Sequence, residues 1–533
     1  MRGMILVAMA LAAAPVMAQT RPAARGPVLP PVEEVSLAEL SRAIAAGRAT
    51  SEGATRAYLA RIAAMDRRGP TLRSVIAVNP DALAQARALD AERRAGRARG
   101  PLHGVPILIK DNIETKDPLP TTAGSLALKA NLTNRDAPVV ALLRKAGAVI
   151  LGKTNLSEWA NIRSNNSMSG WSAIGGLVRN PYALDRTACG SSSGSGAAVA
   201  ASFAAAALGT ETDGSVVCPS AMNGLVGLKP TVGLVSRTHV VPISHSQDTP
   251  GPMARSVRDV AMLFSAMVGA DPADAATRNA ASAVRDYAAG LRPEALNRVR
   301  IGVLRPEMAA GIAAKYDAAL AVLKAAGAVL VDLKQPRLEG VGAAEFDVLK
   351  SELKADLDTY LATTPPTVKT RTLGAVIAFN EANAATEMPF FAQETFVDAQ
   401  KTKGLADEGY RSAREKSLRL ASAEGIDAML RAADATFLVS PTYGTPWLSD
   451  PAHGDQFVGP SASQLPAVSG YPHLTVPMGL VRGLPVGLSF IGSPRSEAAL
   501  LGVGYAYEQA SQARARPGYL SSADVGPGLE GIR

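Results

Sequence analysis

Residues 189–215 run Cys189-Gly-Ser-Ser-Ser-Gly-Ser-Gly196, then AAVAASFAAAALG, then Thr210-Glu-Thr-Asp-Gly-Ser215. Small residues in the first segment permit tight turns and close backbone approach. The alanine-rich run predicts a buried helix whose first turn starts in the glycine-serine loop. A Gly/Ser stretch alone often serves as a flexible linker. Strong apolar segments flank this one closely on both sides, so it belongs to a core, and some group has to approach its backbone.

Outward from this stretch the chain alternates between two hydrophobic periods. Upstream, helical patterns cover Ser36–Gly47, Ser51–Met65, Asp81–Arg99 and 137–146, and strands are predicted at TLRSVIAV (71–78), GVPILI (104–109) and AVIL (148–151). The second of these ends abruptly in Lys110-Asp111-Asn112. Downstream, helices are predicted at 256–268 and 306–326, with strands RIGVL (300–304) and AVLVDL (328–333). Residues 345–433 are mainly helical in pattern. Strands return at TFLVS (436–440), LTVP (474–477) and VGLSFI (486–491), before a last helix from Glu497 to Ala510. Such alternation predicts an α/β protein: a single large domain over 34–515, with a mixed, mostly parallel central sheet covered by helices on both faces. Residues 345–433 form a helical elaboration expected to shape a pocket, and 516–533 a loose tail.

Composition narrows the functional classes. With 533 residues, 47% of them hydrophobic and 19% charged, the chain can bury a sizeable core and is not disordered overall. A net charge of +8 is small for this length, and no dense Lys/Arg run is present, so no nucleic-acid partner is expected. Two cysteines and five scattered histidines argue against a metal centre, and no cofactor is expected. The N-terminus has the grammar of a signal peptide over 1–18: Arg2, an apolar stretch from Ile5 to Val16, and Val16-x-Ala18 before Gln19. That stretch is shorter than the ~20 residues a membrane span needs, so no membrane anchor is expected after its removal. A Pro-rich tether follows over 19–33. Export to a bacterial periplasm or beyond is the expectation.

One motif is refused. Gly147-AVIL-Gly152-Lys153-Thr154 matches the phosphate-binding pattern G-x-x-x-x-G-K-[ST] by letter. That loop must be a polar turn whose free N–H groups cradle phosphate. Here the middle residues are themselves a strand, and Lys153-Thr154-Asn155 reads as the turn leaving it.

The glycine-serine stretch, with Gly224-Leu-Val-Gly227-Leu-Lys229-Pro230-Thr231-Val-Gly233 after it, resembles the amidase signature family. Matching elements include Val105-PILIK-Asp111-Asn112, Lys153-Thr-Asn-Leu-Ser-Glu-Trp159, Arg179-Asn-Pro181, Asp248-Thr-Pro-Gly-Pro252 and Gly483-Leu-Pro-Val-Gly487. The resemblance covers nearly all of 34–515 and is densest over 101–260. Gly209-TETDGSVVCP219 and Ser157-Glu-Trp-Ala-Asn161 are most similar to the bacterial peptide amidases within that family.

The resemblance implies a Ser–cis-Ser–Lys triad without histidine. It makes Ser215 the nucleophile, Ser191 (24 residues upstream) the bridging serine behind a cis Gly190–Ser191 bond, and Lys110 the base. Ser192, Ser193 and Ser195 are the alternatives for the bridge, and the family spacing selects Ser191. The chemistry is coherent, because a serine hydroxyl needs a base within hydrogen-bond reach. Lysine serves only when neutral, so burial must bring its pKa down from ~10.4. The family's oxyanion hole maps to the backbone N–H groups of Thr212, Asp213, Gly214 and Ser215. Donors so placed are worth ~3–4 kcal/mol each. Asp213 stands where much of the family has glycine, and its side chain is expected to point away from the oxyanion.

Asn165 falls where family members often contact substrate. His103 is expected to pack or cap, His239 and His245 to be structural, and Asp248 to anchor its neighbours. Cys189 and Cys218 are expected as inert buried thiols, with a disulfide left open. The function implied is hydrolysis of carboxamides through an acyl-enzyme, cutting the C-terminal amide of peptides with release of ammonia. Aryl amides, esters or carbamates are alternative substrates. One component of a tRNA-dependent amidotransferase, or a non-catalytic binding protein, are alternatives of another class. Partners are then limited to a small-molecule or peptide amide substrate, with the protein a monomer or homodimer.

Overall fold

The computed structural model describes residues 32–523. The predicted signal peptide, the tether up to residue 31 and the tail beyond 523 lie outside the described residues. Eleven strands form one sheet: β1 (Val75–Val78), β2 (Pro106–Lys110), β3 (Val149–Thr154), β4 (Ala206–Glu211), β5 (Val226–Lys229), β6 (Thr249–Ala254), β7 (Arg300–Leu304), β8 (Val329–Leu333), β9 (Phe437–Pro441), β10 (His473–Val481) and β11 (Leu484–Gly492). Their spatial order is β1-β3-β2-β4-β6-β5-β10-β11-β9-β7-β8.

The sheet is mixed. Parallel pairing joins β3, β2 and β4 on one side and β8, β7 and β9 on the other. Every pairing between those groups, and that of β1 to β3, is antiparallel. Predominance of parallel pairing therefore holds only on the two flanks. Helices cover both faces, as the side-chain alternation of β10 shows. Leu474 lies where a Cβ on Gly504 of the helix Glu497–Ser511 would meet it, whereas Thr475 and Ala221 of the helix Val217–Met222 crowd Gly487 from the other face.

Local signals account for many of the elements. Ser36 and Glu39 make a capping box for the helix Leu37–Ala45, and Thr50 caps Ser51–Met65. The alanine-rich run is where structure and sequence reading part. Only Ser193–Ala200 is helical; Ser202 turns with φ 57°, and Ala206–Glu211 becomes the buried strand β4. An apolar run without polar punctuation has no period to separate helix from strand, and here the tertiary environment decides. Gly209 in β4 has Ser192 and Met253 side chains against its Cα, and a larger residue would clash.

β5 and β6 had no sequence signal. β6 carries Pro250 and Pro252 inside the sheet, where proline is normally disfavoured. Lys153 and Thr154, expected in a turn, complete β3. Lys153 is fully buried, with its ammonium on the Ile113 carbonyl and on Thr121 Oγ1 at 2.9 Å. The phosphate-loop reading is thereby excluded: the Gly152 backbone is in the sheet with a Cα approach to Ala77 that admits no side chain.

The helical elaboration runs from Val341–Ala362 to Asp427–Ala433. It has a core of its own, in which Leu353, Leu357, Leu361, Leu373, Val376 and Phe396 pack with Trp159 and Leu128. The start of the expected tail is not loose: Tyr519 N–H donates to Pro181 O and Leu184 N–H to Leu520 O, both at 2.8 Å. Among the described residues, no helix is long and apolar enough to cross a membrane.

Candidate active site

Lys110 ends β2, and Thr210 lies one residue from the end of the parallel neighbour β4. Side chains at the carboxyl ends of adjacent parallel strands converge on a common crevice. Lys110 is fully buried there, and its Nζ is 2.8 Å from Ser191 Oγ, 2.9 Å from Thr210 Oγ1 and 3.3 Å from Thr210 O. Asn112 Nδ2 donates to the same Thr210 hydroxyl at 3.0 Å. Burial pulls the Lys110 pKa down to about 7, against the opposing charges of Asp248 and Glu211.

Ser191 Oγ is 3.0 Å from Ser215 Oγ, so the three predicted side chains form one continuous hydrogen-bonded line. The Gly190–Ser191 peptide is cis. A Cβ on Gly190 would lie 2.2 Å from Ser157 Oγ, which accounts for glycine at that position. The other serines of the loop are spent elsewhere. Ser192 Oγ donates to Thr210 O (3.1 Å), Ser195 Oγ to Leu208 O (2.9 Å), and Ser193 Oγ lies 3.5 Å from Ser157 Oγ. Ser191 is the loop serine in contact with both Lys110 and Ser215. The backbone ties the same pieces together, with Ser192 N–H donating to Ser215 O at 3.1 Å.

Glu211 positions the turn that carries Ser215. Its Oε2 accepts from Val216 N (2.8 Å) and Val217 N (2.9 Å), the start of the helix Val217–Met222. The N–H groups of Thr212, Asp213, Gly214 and Ser215 donate to no acceptor among the described residues. They remain available to an oxyanion. Gly214 has φ 77°, and a Cβ there would strike the Tyr443 hydroxyl at 2.2 Å. Ser215 is 7% exposed, enough for a substrate atom to reach it. Burial raises the Asp213 carboxyl above the usual range, with Ser463 and Lys229 opposing.

Thr212 is gripped from two sides. Its hydroxyl donates to Asp248 Oδ1 at 2.5 Å, and its carbonyl accepts from Gln247 Nε2 at 3.3 Å. Asp248 Oδ2 in turn accepts from Ile243 N and Ser244 N at 2.8 and 2.9 Å, and burial raises its pKa to about 6. The anchoring expected of Asp248 is what these contacts describe.

The remaining candidates separate from the line of three. Asn165 is exposed; its N–H donates to Glu394 Oε1 at 2.7 Å, and its Oδ1 is 3.5 Å from Thr395 Oγ1. It bonds to none of Lys110, Ser191 and Ser215. His103 packs between Leu89 O (2.9 Å) and Arg99 N (3.2 Å). His239 is 4.0 Å from Glu114, and His245 Nδ1 is 2.9 Å from Asp356 Oδ2. The expectation of free thiols is corrected: Cys189 and Cys218 form a disulfide, with Cα atoms 5.9 Å apart. It joins the segment two residues before Ser191 to the helix three residues after Ser215, which is why both sulfurs come within bonding range.

Sequence reasoning missed Thr210, Glu211, Gln247, Glu345 and Tyr443. Thr210 and Glu211 were within the quoted stretch, and reading β4 as a strand would have placed them at its end. Gln247 and Glu345 are 98 residues apart and meet only through tertiary packing.

The family model described as Amidase matches residues 53–501. The chain is 38% identical to the Arabidopsis thaliana protein named Probable amidase, over 92% of each chain. It is 36% identical to a glutamyl-tRNA(Gln) amidotransferase subunit of Symbiobacterium thermophilum, over 90% of this chain and 97% of that one. The structure is similar to that of native peptide amidase from Stenotrophomonas maltophilia, with a TM-score of 0.88 and 51% identity over 92% of this chain and 99% of the other. A family match spanning most of the chain, together with these similarities, establishes that this chain belongs to the amidase signature family.

Proposed function

We propose that the protein hydrolyses the C-terminal carboxamide of peptides, with Ser215 as nucleophile, Ser191 as proton bridge and Lys110 as base. The observation that carries this reading is the buried line Lys110–Ser191–Ser215, at 2.8 and 3.0 Å, beside four unspent N–H groups. A lysine with a pKa about 7 holds a large neutral fraction at neutral pH, which a general base requires. Neutral Lys110 takes the Ser191 hydroxyl proton as Ser191 takes that of Ser215, whose oxygen attacks the amide carbon. The N–H groups of 212–215 receive the oxyanion. On collapse the C–N bond breaks, the proton returns through Ser191 to the departing nitrogen, and ammonia leaves. Water then hydrolyses the acyl-Ser215 ester by the same route.

Similarity to the Stenotrophomonas maltophilia peptide amidase supports peptide amides as the substrate class. Export is part of the proposal. The signal-peptide pattern of residues 1–18 points to it, and a disulfide suits an oxidising compartment.

The test is ammonia release from peptide C-terminal amides, free amino-acid amides and an anilide, by the wild type and Ser215→Ala. Release from peptide amides that vanishes in the variant, with internal peptide bonds intact, is the expected result. Cleavage of the anilide alone would move the substrate to aryl amides. Undiminished activity in Ser215→Ala would remove the proposed nucleophile.

A further inference from the structure

We propose that Gln247 and Glu345 are positioning residues for the oxyanion hole: by holding the Thr212 carbonyl they aim the Asp213 N–H at the carbonyl under attack. The inference rests on Ser215 as nucleophile and extends that reading to two residues outside the triad.

A hydrogen-bonded chain runs from the helical layer to the nucleophile turn. Gln464 Nε2 donates to Glu345 Oε2 at 3.0 Å, Gln247 Nε2 donates to Glu345 Oε1 at 2.9 Å, and the same Nε2 donates to Thr212 O at 3.3 Å. A glutamine amide has two hydrogens, so both Gln247 bonds can be made at once. Gln247 is 1% exposed and Glu345 4%. A buried amide with both hydrogens committed is held rigidly.

The geometric consequence follows from the peptide unit. Thr212–Asp213 is a trans peptide, and in a planar trans unit the C=O and the following N–H point in opposite directions. Fixing the Thr212 oxygen therefore fixes the Asp213 N–H vector. Among the described residues no backbone N–H donates to that oxygen, which leaves Gln247 to hold it. The Asp213 N–H itself is unspent. The far end of the turn is set separately by Glu211, and the Thr212 side chain by Asp248. Hydrogen bonds weaken steeply as they lose alignment, so a peptide plane free to rock would lose donor strength in the transition state.

Glu345 fits the role of a neutral link. Burial raises its pKa to about 8, and the Asp213 charge adds to the effect. A glutamine in its place would carry the same oxygen acceptor for Gln247, whereas leucine would carry none.

The experiment compares wild type, Ser215→Ala, Gln247→Met, Glu345→Leu and Glu345→Gln as full-length protein. It reads kcat and KM for a peptide amide, and Ki for a peptide aldehyde, whose hemiacetal on Ser215 presents an oxyanion. Gln247→Met and Glu345→Leu are expected to lose kcat by roughly tenfold to a hundredfold. Their KM stays within about twofold, and aldehyde affinity falls in parallel with kcat. Glu345→Gln is expected to recover most of both. Wild-type kcat and aldehyde affinity in a folded Gln247→Met would overturn the inference. Equal loss in Glu345→Gln and Glu345→Leu would also overturn it, and this pair carries the comparison alone if Gln247→Met fails to fold. Activity surviving in Ser215→Ala would instead sink the nucleophile assignment.

Discussion

The turn between β4 and the helix Val217–Met222 and the helical layer of 341–433 are built on different physical terms. The turn is a polar device inside a buried core. Lys110, Ser191, Glu211 and Thr212 each have assigned bonds around Ser215, and glycines at 190 and 214 admit side-chain hydroxyls that no larger residue allows. The helical layer is held by ordinary apolar packing around Leu353, Leu357 and Phe396. It reaches the turn through a few polar bridges, Glu345 to Gln247 and Glu352 to Ser244 and Ser246. Chemistry is concentrated where geometry is over-determined; we propose that the helical layer shapes substrate choice and touches the nucleophile turn only through these bridges.

The sharpest break of this contrast is removal of the base. Lys110→Met should lower kcat by ~10³-fold or more, as loss of a triad member does elsewhere, while circular dichroism reports an intact fold. A loss below tenfold would mean that the line at β2 and β4 is structural. Next comes the disulfide beside the same turn. Closing a loop of 29 residues is worth ~3–4 kcal/mol in the chain-entropy account. Replacing Cys189 and Cys218 together by alanine should lower the denaturation midpoint accordingly; an unchanged midpoint would mean that the rest of the core already fixes the two segments. In the helical layer, Leu357→Ala should cost ~2–4 kcal/mol of stability through the cavity it leaves. The folded fraction should keep its kcat, with KM shifting among substrates. A fall in kcat equal to that of Lys110→Met would erase the distinction between the two regions.

The sequence exposed the turn far better than the layer above it. The Gly/Ser-rich stretch and the lysine ending an apolar strand have local signatures, because close approach and strand ends leave marks in residue type, whereas Ser191 and Ser215 were singled out by the family resemblance. What stayed hidden depends on distance along the chain. The alanine run splits into the helix Ser193–Ala200 and the strand β4, a break that an unpunctuated apolar run does not mark locally. β6 was masked by Pro250 and Pro252, which local propensity assigns to loops. The Cys189–Cys218 pairing and the Gln247–Glu345 bond exist only once the sheet brings their segments together.

The central claim is that neutral Lys110 activates Ser215 through Ser191. It is tested most directly by the pH dependence of the pre-steady-state acylation rate of Ser215 in wild type, Ser191→Ala and Lys110→Met. Because the neutral amine is the active form, the wild-type rate should fall about tenfold per pH unit below the Lys110 pKa of about 7 and level off above it. Both variants should acylate slowly, with that limb gone from Lys110→Met. A wild-type limb near 7 that persists unchanged in Lys110→Met would contradict the account, because the titrating base would then be another group.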